Sequence, residues 1–125
     1  MKYFICVAGC RNFTETEEHY RIVADYLDYV LQNLKNQGEI IIIHGACRGV
    51  DLLAGRYARE RKYKCLEFPA DWSLGNFAGP KRNAEMIAKS SHVVAFWDGY
   101  SKGTHNLIQN AKRAKKPLKI KIISI

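Results

Sequence analysis

Apolar, β-branched runs alternate with amphipathic stretches along this chain, and that alternation admits few folds. Lys2 to Ala8, Glu39 to Ile43, Lys64 to Phe68, His92 to Trp97 and Leu118 to Ile123 read as strands. The run Ile40-Ile41-Ile42-Ile43 has no polar face, as a strand buried on both sides of a parallel sheet requires. Between the strands, Val23, Leu27, Val30, Leu31 and Leu34 recur at helical spacing, which predicts a long helix that stops near Gly38. Thr14 followed by Glu17 has the form of a capping box at its start. Further helices are predicted over 50–61, 81–89 and 104–114, whereas 70–80 lacks periodicity and reads as an ordered functional loop. Strand following helix throughout implies an α/β fold, a doubly wound and mostly parallel sheet of about five strands flanked by helices.

With 125 residues, the chain is expected to form one domain over 1–125 around one core. No apolar run approaches the roughly 20 residues of a membrane span. The start of the chain lacks the order of a secretion signal, so a cytoplasmic location without membrane association is expected. Cys6, Cys10, Cys47 and Cys65 include no CxxC pair, so they read as reduced, mostly structural thiols rather than a metal site. Cys10 and Cys47 stand out because both fall in loops where they can approach each other. The net charge is +8, yet Lys112, Arg113, Lys115, Lys116, Lys119 and Lys121 carry six of those charges and leave +2 elsewhere. Such a segment attracts nucleic acid through phosphate contacts. A solvated helix end followed by an edge strand guarded by lysines is the favoured reading, because charge alone reports only non-specific attraction.

Three loops carry the chemistry: Ala8-Gly9-Cys10-Arg11-Asn12-Phe13, His44-Gly45-Ala46-Cys47-Arg48-Gly49-Val50-Asp51 and Asp98-Gly99-Tyr100-Ser101-Lys102-Gly103-Thr104. Each follows a strand and opens a helix. The carboxyl ends of parallel strands and the succeeding helix N-termini share one edge, where free N–H groups favour anions. Three such loops at one crevice point to a phosphate-bearing small molecule, most simply a nucleotide. Gly45 suits a tight turn, and Gly49 the close approach of a ligand or a neighbouring strand of chain. Arg48 suits a forked contact to phosphate, and Asp51 either a helix cap or a sugar hydroxyl. Thr104 after Gly103 is placed to cap the last helix and to donate to phosphate. Arg82 and Asn83 either face the same crevice or, for Arg82, sit in a solvated first turn. Trp72 is the best of the aromatics to stack on a base, with Phe77 and Trp97 more in keeping with a core. His44 reads as structural, and only position recommends His105. No GxGxxG, GxxxxGK[ST] or GxSxG is present, so dinucleotide dehydrogenase, P-loop NTPase and serine hydrolase readings have no footing. No cofactor or metal is expected.

The three loops, taken with Phe68-Pro69-Ala70-Asp71-Trp72 and Ala78-Gly79-Pro80-Lys81-Arg82-Asn83-Ala84-Glu85-Met86, resemble the YspA-type branch of the SLOG superfamily over nearly the whole chain. That superfamily is Rossmann-like and includes the LOG cytokinin-activating phosphoribohydrolases and the DNA-processing protein A family. Members of the branch are common in bacteria and their phages. The resemblance implies that Gly9, Arg11, Gly45, Arg48, Gly49, Asp51, Arg82, Asn83, Gly103 and Thr104 line a nucleotide pocket, to which Asn12 and Trp72 are added on position. LOG enzymes carry PGGxGTxxE, whereas here the Glu position is Leu107 and the leading Pro-Gly is Asp98-Gly99. The phosphate-cradling half is therefore present without the carboxylate that assists glycosidic cleavage. The favoured reading is a sensor or sequestering protein for a nucleotide, an ADP-ribose-like molecule or a cyclic nucleotide. The alternatives are a phosphoribohydrolase relying on Asp51, Asp71 or Glu85, and a nucleic-acid-binding protein akin to the DNA-processing family. Homodimers are common among relatives, so one is an open expectation.

Overall fold

A computed structural model describes residues 1–125. Five strands form one sheet: β1 (Lys2–Gly9), β2 (Glu39–His44), β3 (Lys64–Glu67), β4 (His92–Trp97) and β5 (Leu118–Ile122). Their order is β3-β2-β1-β4-β5, and every neighbouring pair is parallel. Four helices, α1 (Glu17–Leu31), α2 (Val50–Arg61), α3 (Ala78–Lys89) and α4 (Lys102–Arg113), flank the sheet in a Rossmann-like α/β arrangement.

The pleat divides each central strand between two cores. Ile5 and Val7, Ile40 and Ile42, and Val94 and Phe96 face α1 and α2. Cys6, Ala8, Ile43 and Val93 face α3 and α4, against Met86, Ile87, Leu107 and Ala111. This two-sided burial is why the isoleucine run shows no alternation. Side-chain links tie the first layer together. Tyr57 donates to Asp28 at 2.7 Å, and Arg61 holds the same carboxylate at 2.7 and 3.0 Å. The Arg61 guanidinium keeps Asp28 below the usual carboxylate range.

Several boundaries differ from the sequence reading. The first helix is capped by Thr16, whose hydroxyl accepts from the His19 N–H at 3.1 Å, not by Thr14, which instead meets the His19 ring. The helix ends at Leu31, and Leu34 belongs to a separate short 3-10 turn (Leu34–Asn36). Residues 72–77 form two tight turns joined at Gly75, and α3 starts at Ala78 with Pro80 in its first turn, where a missing N–H costs nothing. The last helix starts at Lys102, so Thr104 lies inside it and does not cap it. Strands β3 and β5 each end one residue earlier than expected, at Glu67 and Ile122.

The chain runs outward from β1 through β2 to β3, then returns to place β4 on the other side of β1. Loops leaving β1 and β4 therefore diverge to opposite faces, and open a crevice at the sheet's carboxyl edge.

Candidate functional site

A cleft of about 930 Å³ occupies this switch point. It is lined by Ala8 to Asn12 at the end of β1 and just beyond, by Cys47, Arg48 and Asp51 around the start of α2, and by Ser101 to Thr104 at the start of α4. Trp72, Gly75, Asn76, Gly79, Pro80, Arg82, Asn83 and Met86 form the remaining wall with Asn106 and Leu107. Sequence positions far apart are thus brought together: Gly9, Arg11, Asn12, Arg48, Asp51, Trp72, Arg82, Asn83, Gly103 and Thr104 all border one cavity. Gly45 and Gly49 do not line it but shape the loop that does. Two of the proposed acids lie elsewhere. Asp71 is exposed and holds Ser73 through its N–H and hydroxyl, and Glu85 is paired with Lys81 on the outer side of α3. That leaves Asp51 as the one carboxylate on the cleft wall.

The glycines answer to the packing of one loop on another. Gly49 has φ +82, and a Cβ there would run into the carbonyls of Cys10 and Arg11. The neighbouring Val50 N–H bonds the Cys10 carbonyl at 3.3 Å, so this glycine lets the second loop cross the first rather than admit a ligand. At Gly45, a Cβ would collide with the Arg82 guanidinium and sit 3.0 Å from Asp51 Oδ2.

Arg82 is the organiser of this wall and is 8% exposed, so it is not the solvated first-turn residue that arginine usually makes. Its Nη1 donates to the Gly45 carbonyl at 2.7 Å and the Phe68 carbonyl at 3.3 Å, and its Nε to Asn83 Oδ1 at 3.1 Å. Both Nη atoms approach the Cys47 sulfur at 3.8 Å. Asn83 in turn donates to the Gly103 carbonyl and Asn106 Oδ1, which ties α3 to α4. Most donors of these two residues therefore hold protein atoms, leaving the exposed Arg11, Arg48 and Lys102 as the cations available to a ligand. Arg11 lies 4.8 Å over the Trp72 ring, so cation and aromatic surface form one rim.

Asp51 does not cap its helix; Gly49 occupies that position, and the carboxylate reaches back to the Cys47 N–H at 3.2 Å. Burial pushes its pKa up to about 6, against the Cys47 and Gly45 N–H groups and the Arg82 and Arg11 charges, which favour the anion. A carboxyl held in this way is protonated in the folded state between pH 4 and 6, where the unfolded chain has already ionised. Folding stability is therefore expected to fall as pH rises through that window. The difference from the ordinary value of 3.8 corresponds to about 3 kcal/mol. Urea titrations at pH 4 and pH 7 check this: wild type loses stability relative to Asp51→Asn as pH rises, and equal pH profiles would refute it.

The third loop is rigid through Asp98. Its carboxylate accepts from the Tyr100 and Ser101 N–H groups at 2.9 and 2.8 Å, and these bonds bring its pKa down to about 2. Trp97 Nε1 donates to the Ser101 carbonyl, and the Ser101 hydroxyl lies 3.2 Å from Cys10 Sγ. No side chain caps α4, so the first N–H groups of that helix, at Lys102, Gly103 and Thr104, border the cleft without helical partners. Ser101, Lys102, Asn76 and Asn106 were not singled out from sequence. Polar residues in a turn carry no signal until the fold shows which way they face. Trp97 stacks on His105 outside the cleft, Phe77 is 78% exposed rather than core, and buried His44 accepts the Ala46 N–H. All four cysteines are free, and Cys65 is exposed rather than core.

Two solved structures share the fold. The structural-genomics protein TM1055 aligns with a TM-score of 0.69 at 19% identity, over 93% of this chain and 72% of that one. DNA processing protein A from Helicobacter pylori, described for its single-stranded DNA binding mode, aligns with a TM-score of 0.63 at 18% identity, over 94% of this chain. This chain spans 64% of that protein's length. No curated protein matches. No helix is long and apolar enough to cross a membrane. The model of the YspA, cpYpsA-related SLOG family matches residues 4–75, more than half of the sequence, and the chain belongs to that family.

Proposed function

We propose that the cleft binds a nucleotide or nucleotide-derived anion, and that the protein acts as a sensor or sequestering protein for it. The observation that carries this reading is the charge of the cleft wall. Arg11, Arg48 and Lys102 stand beside the uncapped start of α4, opposed by a single buried carboxylate, Asp51. Free N–H groups at a helix start and guanidinium forks suit phosphate oxygens, and the Arg11–Trp72 rim offers a flat face to a base. The volume lies in the range of small-molecule sites, and near its upper end. That size suits a dinucleotide or an ADP-ribose-like ligand better than a lone mononucleotide.

Cleavage of the ligand has weaker support. The position that carries Glu in LOG enzymes is Leu107, which is 1% exposed and forms part of the apolar floor. Glycosidic cleavage builds positive charge on the sugar, and an aliphatic side chain neither stabilises that charge nor activates water. Asp51 is the remaining candidate carboxylate, and its oxygen is committed to the Cys47 N–H. Release of free base from AMP, GMP or CMP is accordingly expected to be undetectable by chromatography. Turnover lost in Asp51→Asn would instead establish a hydrolase.

A melting-temperature screen of nucleoside mono- and diphosphates, cyclic nucleotides and ADP-ribose tests binding, because a ligand that prefers the folded state raises the transition. Arg48→Ala is expected to weaken the best ligand by about 1.5–3 kcal/mol, or roughly 10- to 150-fold, with little change in stability. Calorimetric titration reads the affinity. Unchanged affinity across Arg48→Ala, Arg11→Ala and Lys102→Ala would reject the phosphate assignment.

A further inference from the structure

Six of the cations outside the cleft lie toward the opposite edge of the sheet. Register sets Leu118 beside Val93 and His92 beside Ile5, and the Val93 N–H bonds the Pro117 carbonyl at 2.9 Å. The starts of β4 and β5 therefore share one edge with the early part of β1. Helices α3 and α4 run back against the strands and end there too. Lys89, in the last turn of α3, lies 4.5 Å over the Phe4 ring, and Lys116 N–H bonds the Ala111 carbonyl just past α4. One rim thus collects Lys89, Lys112, Arg113, Lys115, Lys116 and Lys119. None of the six enters an ion pair; the five pairs of the molecule lie elsewhere. Residues 99–125 contain no Asp or Glu at all.

Two structural duties explain part of this charge. Lys112 and Arg113 suit the negative end of α4, and Lys119 discourages pairing at the open edge of β5. The first duty also covers Lys89, in the last turn of α3, but neither covers Lys115 and Lys116, in the turn beyond α4. Gathered cations without counter-charges repel one another, and a polyanion relieves that repulsion.

We propose that this rim binds the phosphate backbone of a nucleic acid, at a site separate from the cleft. Five of its six cations are lysines, point charges that hold phosphates without the forked geometry that reads base edges. The ring beneath Lys89 is that of half-buried Phe4, and lysine charge carries the rest of the rim, so the contact is to backbone and independent of sequence. An anionic membrane fits less well. The apolar residues of α4, Leu107, Ile108 and Ala111, are buried in the core, leaving no amphipathic face to enter the headgroups.

Fluorescence anisotropy with a labelled DNA of about 20 nucleotides, as single strand and as duplex, tests the rim. Four to six phosphate contacts predict that affinity falls by about 10²–10³ between roughly 50 and 200 mM salt. The variant Lys112→Gln/Lys115→Gln/Lys116→Gln/Lys119→Gln is expected to lose at least about tenfold at low salt and to show a shallower salt slope. Lys89→Gln/Lys115→Gln, spread over two elements, is expected to lose a smaller share, which guards against a folding defect in the larger set. Arg48→Ala, in the cleft, is expected to bind DNA as wild type does. Absence of DNA binding at low salt, or equal binding by both lysine variants, would overturn the proposal. Loss of DNA binding in Arg48→Ala would move the contact to the cleft, and retention by anionic vesicles without DNA binding would assign the rim to membranes.

Discussion

Arg82→Ala is expected to destabilise the protein by about 3 kcal/mol or more and to abolish ligand binding in the cleft. Hydrogen bonds from charged donors contribute about 1.5–3 kcal/mol each, and stranded buried acceptors add a desolvation cost. Arg82 supplies such bonds to the Gly45 and Phe68 carbonyls and to Asn83 Oδ1, at 8% exposure. Its removal also takes away a positive charge that helps Asp51 remain ionised. The loop from Gly45 to Asp51 then loses its support, and Arg48 with it. Urea unfolding and ligand calorimetry on the same variant check both parts. Arg82→Lys is expected to recover little, because one ammonium cannot reproduce a planar fork reaching three acceptors. A variant of near wild-type stability that fails only to bind would show instead that Arg82 acts on the ligand directly.

Gly49→Ala is expected to be comparably damaging through a different cause. At φ +82 and ψ −131 the residue occupies backbone space essentially reserved for glycine, a strain of about 1–3 kcal/mol for any other residue. The added methyl also meets the carbonyls of Cys10 and Arg11, which are backbone and cannot swing aside. Relief requires the first and second loops to separate, breaking the Val50–Cys10 bond and widening the cleft. A drop in melting temperature of several degrees is expected, with weakened binding. By contrast, Gly99→Ala meets no neighbouring atom and carries only the backbone strain of φ +89, so it is expected to cost less. Equal losses for the two would refute the crossing-loop account.

Strand positions and the parallel, two-layered architecture were legible because burial on both faces writes itself into sequence as unbroken β-branched runs. The wall of the cleft was legible where a glycine coincided with a strand end, as at Gly9, and Gly45 marked the loop that shapes it. What stayed hidden depended on side-chain direction. Arg82 reads in sequence as a first-turn cation, and only the packed fold turns it inward under the Gly45 loop. Thr104 sits inside its helix because α4 begins two residues earlier than the spacing suggests, whereas Asp51 lies two residues past the Gly49 cap and reaches back to the Cys47 N–H. Asp71 and Glu85 looked equivalent to Asp51 as acids. The outward face of α3 and the turn after β3 commit them to Lys81 and Ser73 instead. Thr14 lost the cap to Thr16 because Glu15 is drawn across to the Gly49 N–H, which fixes where the helix can begin.

The two walls of the cleft belong to opposite ends of the chain. Arg11 follows the first strand and Lys102 follows the fourth, 91 positions later, yet both border one cavity at the centre of the sheet. An anion gripped by both joins them as a reversible cross-link, closing a loop long enough for such a tie to matter entropically in any partly unfolded state that retains it. Opening of β1 from β4 then requires release of the ligand. Its presence is therefore written into the exchange rates of amides in the sheet's interior as well as those at the rim.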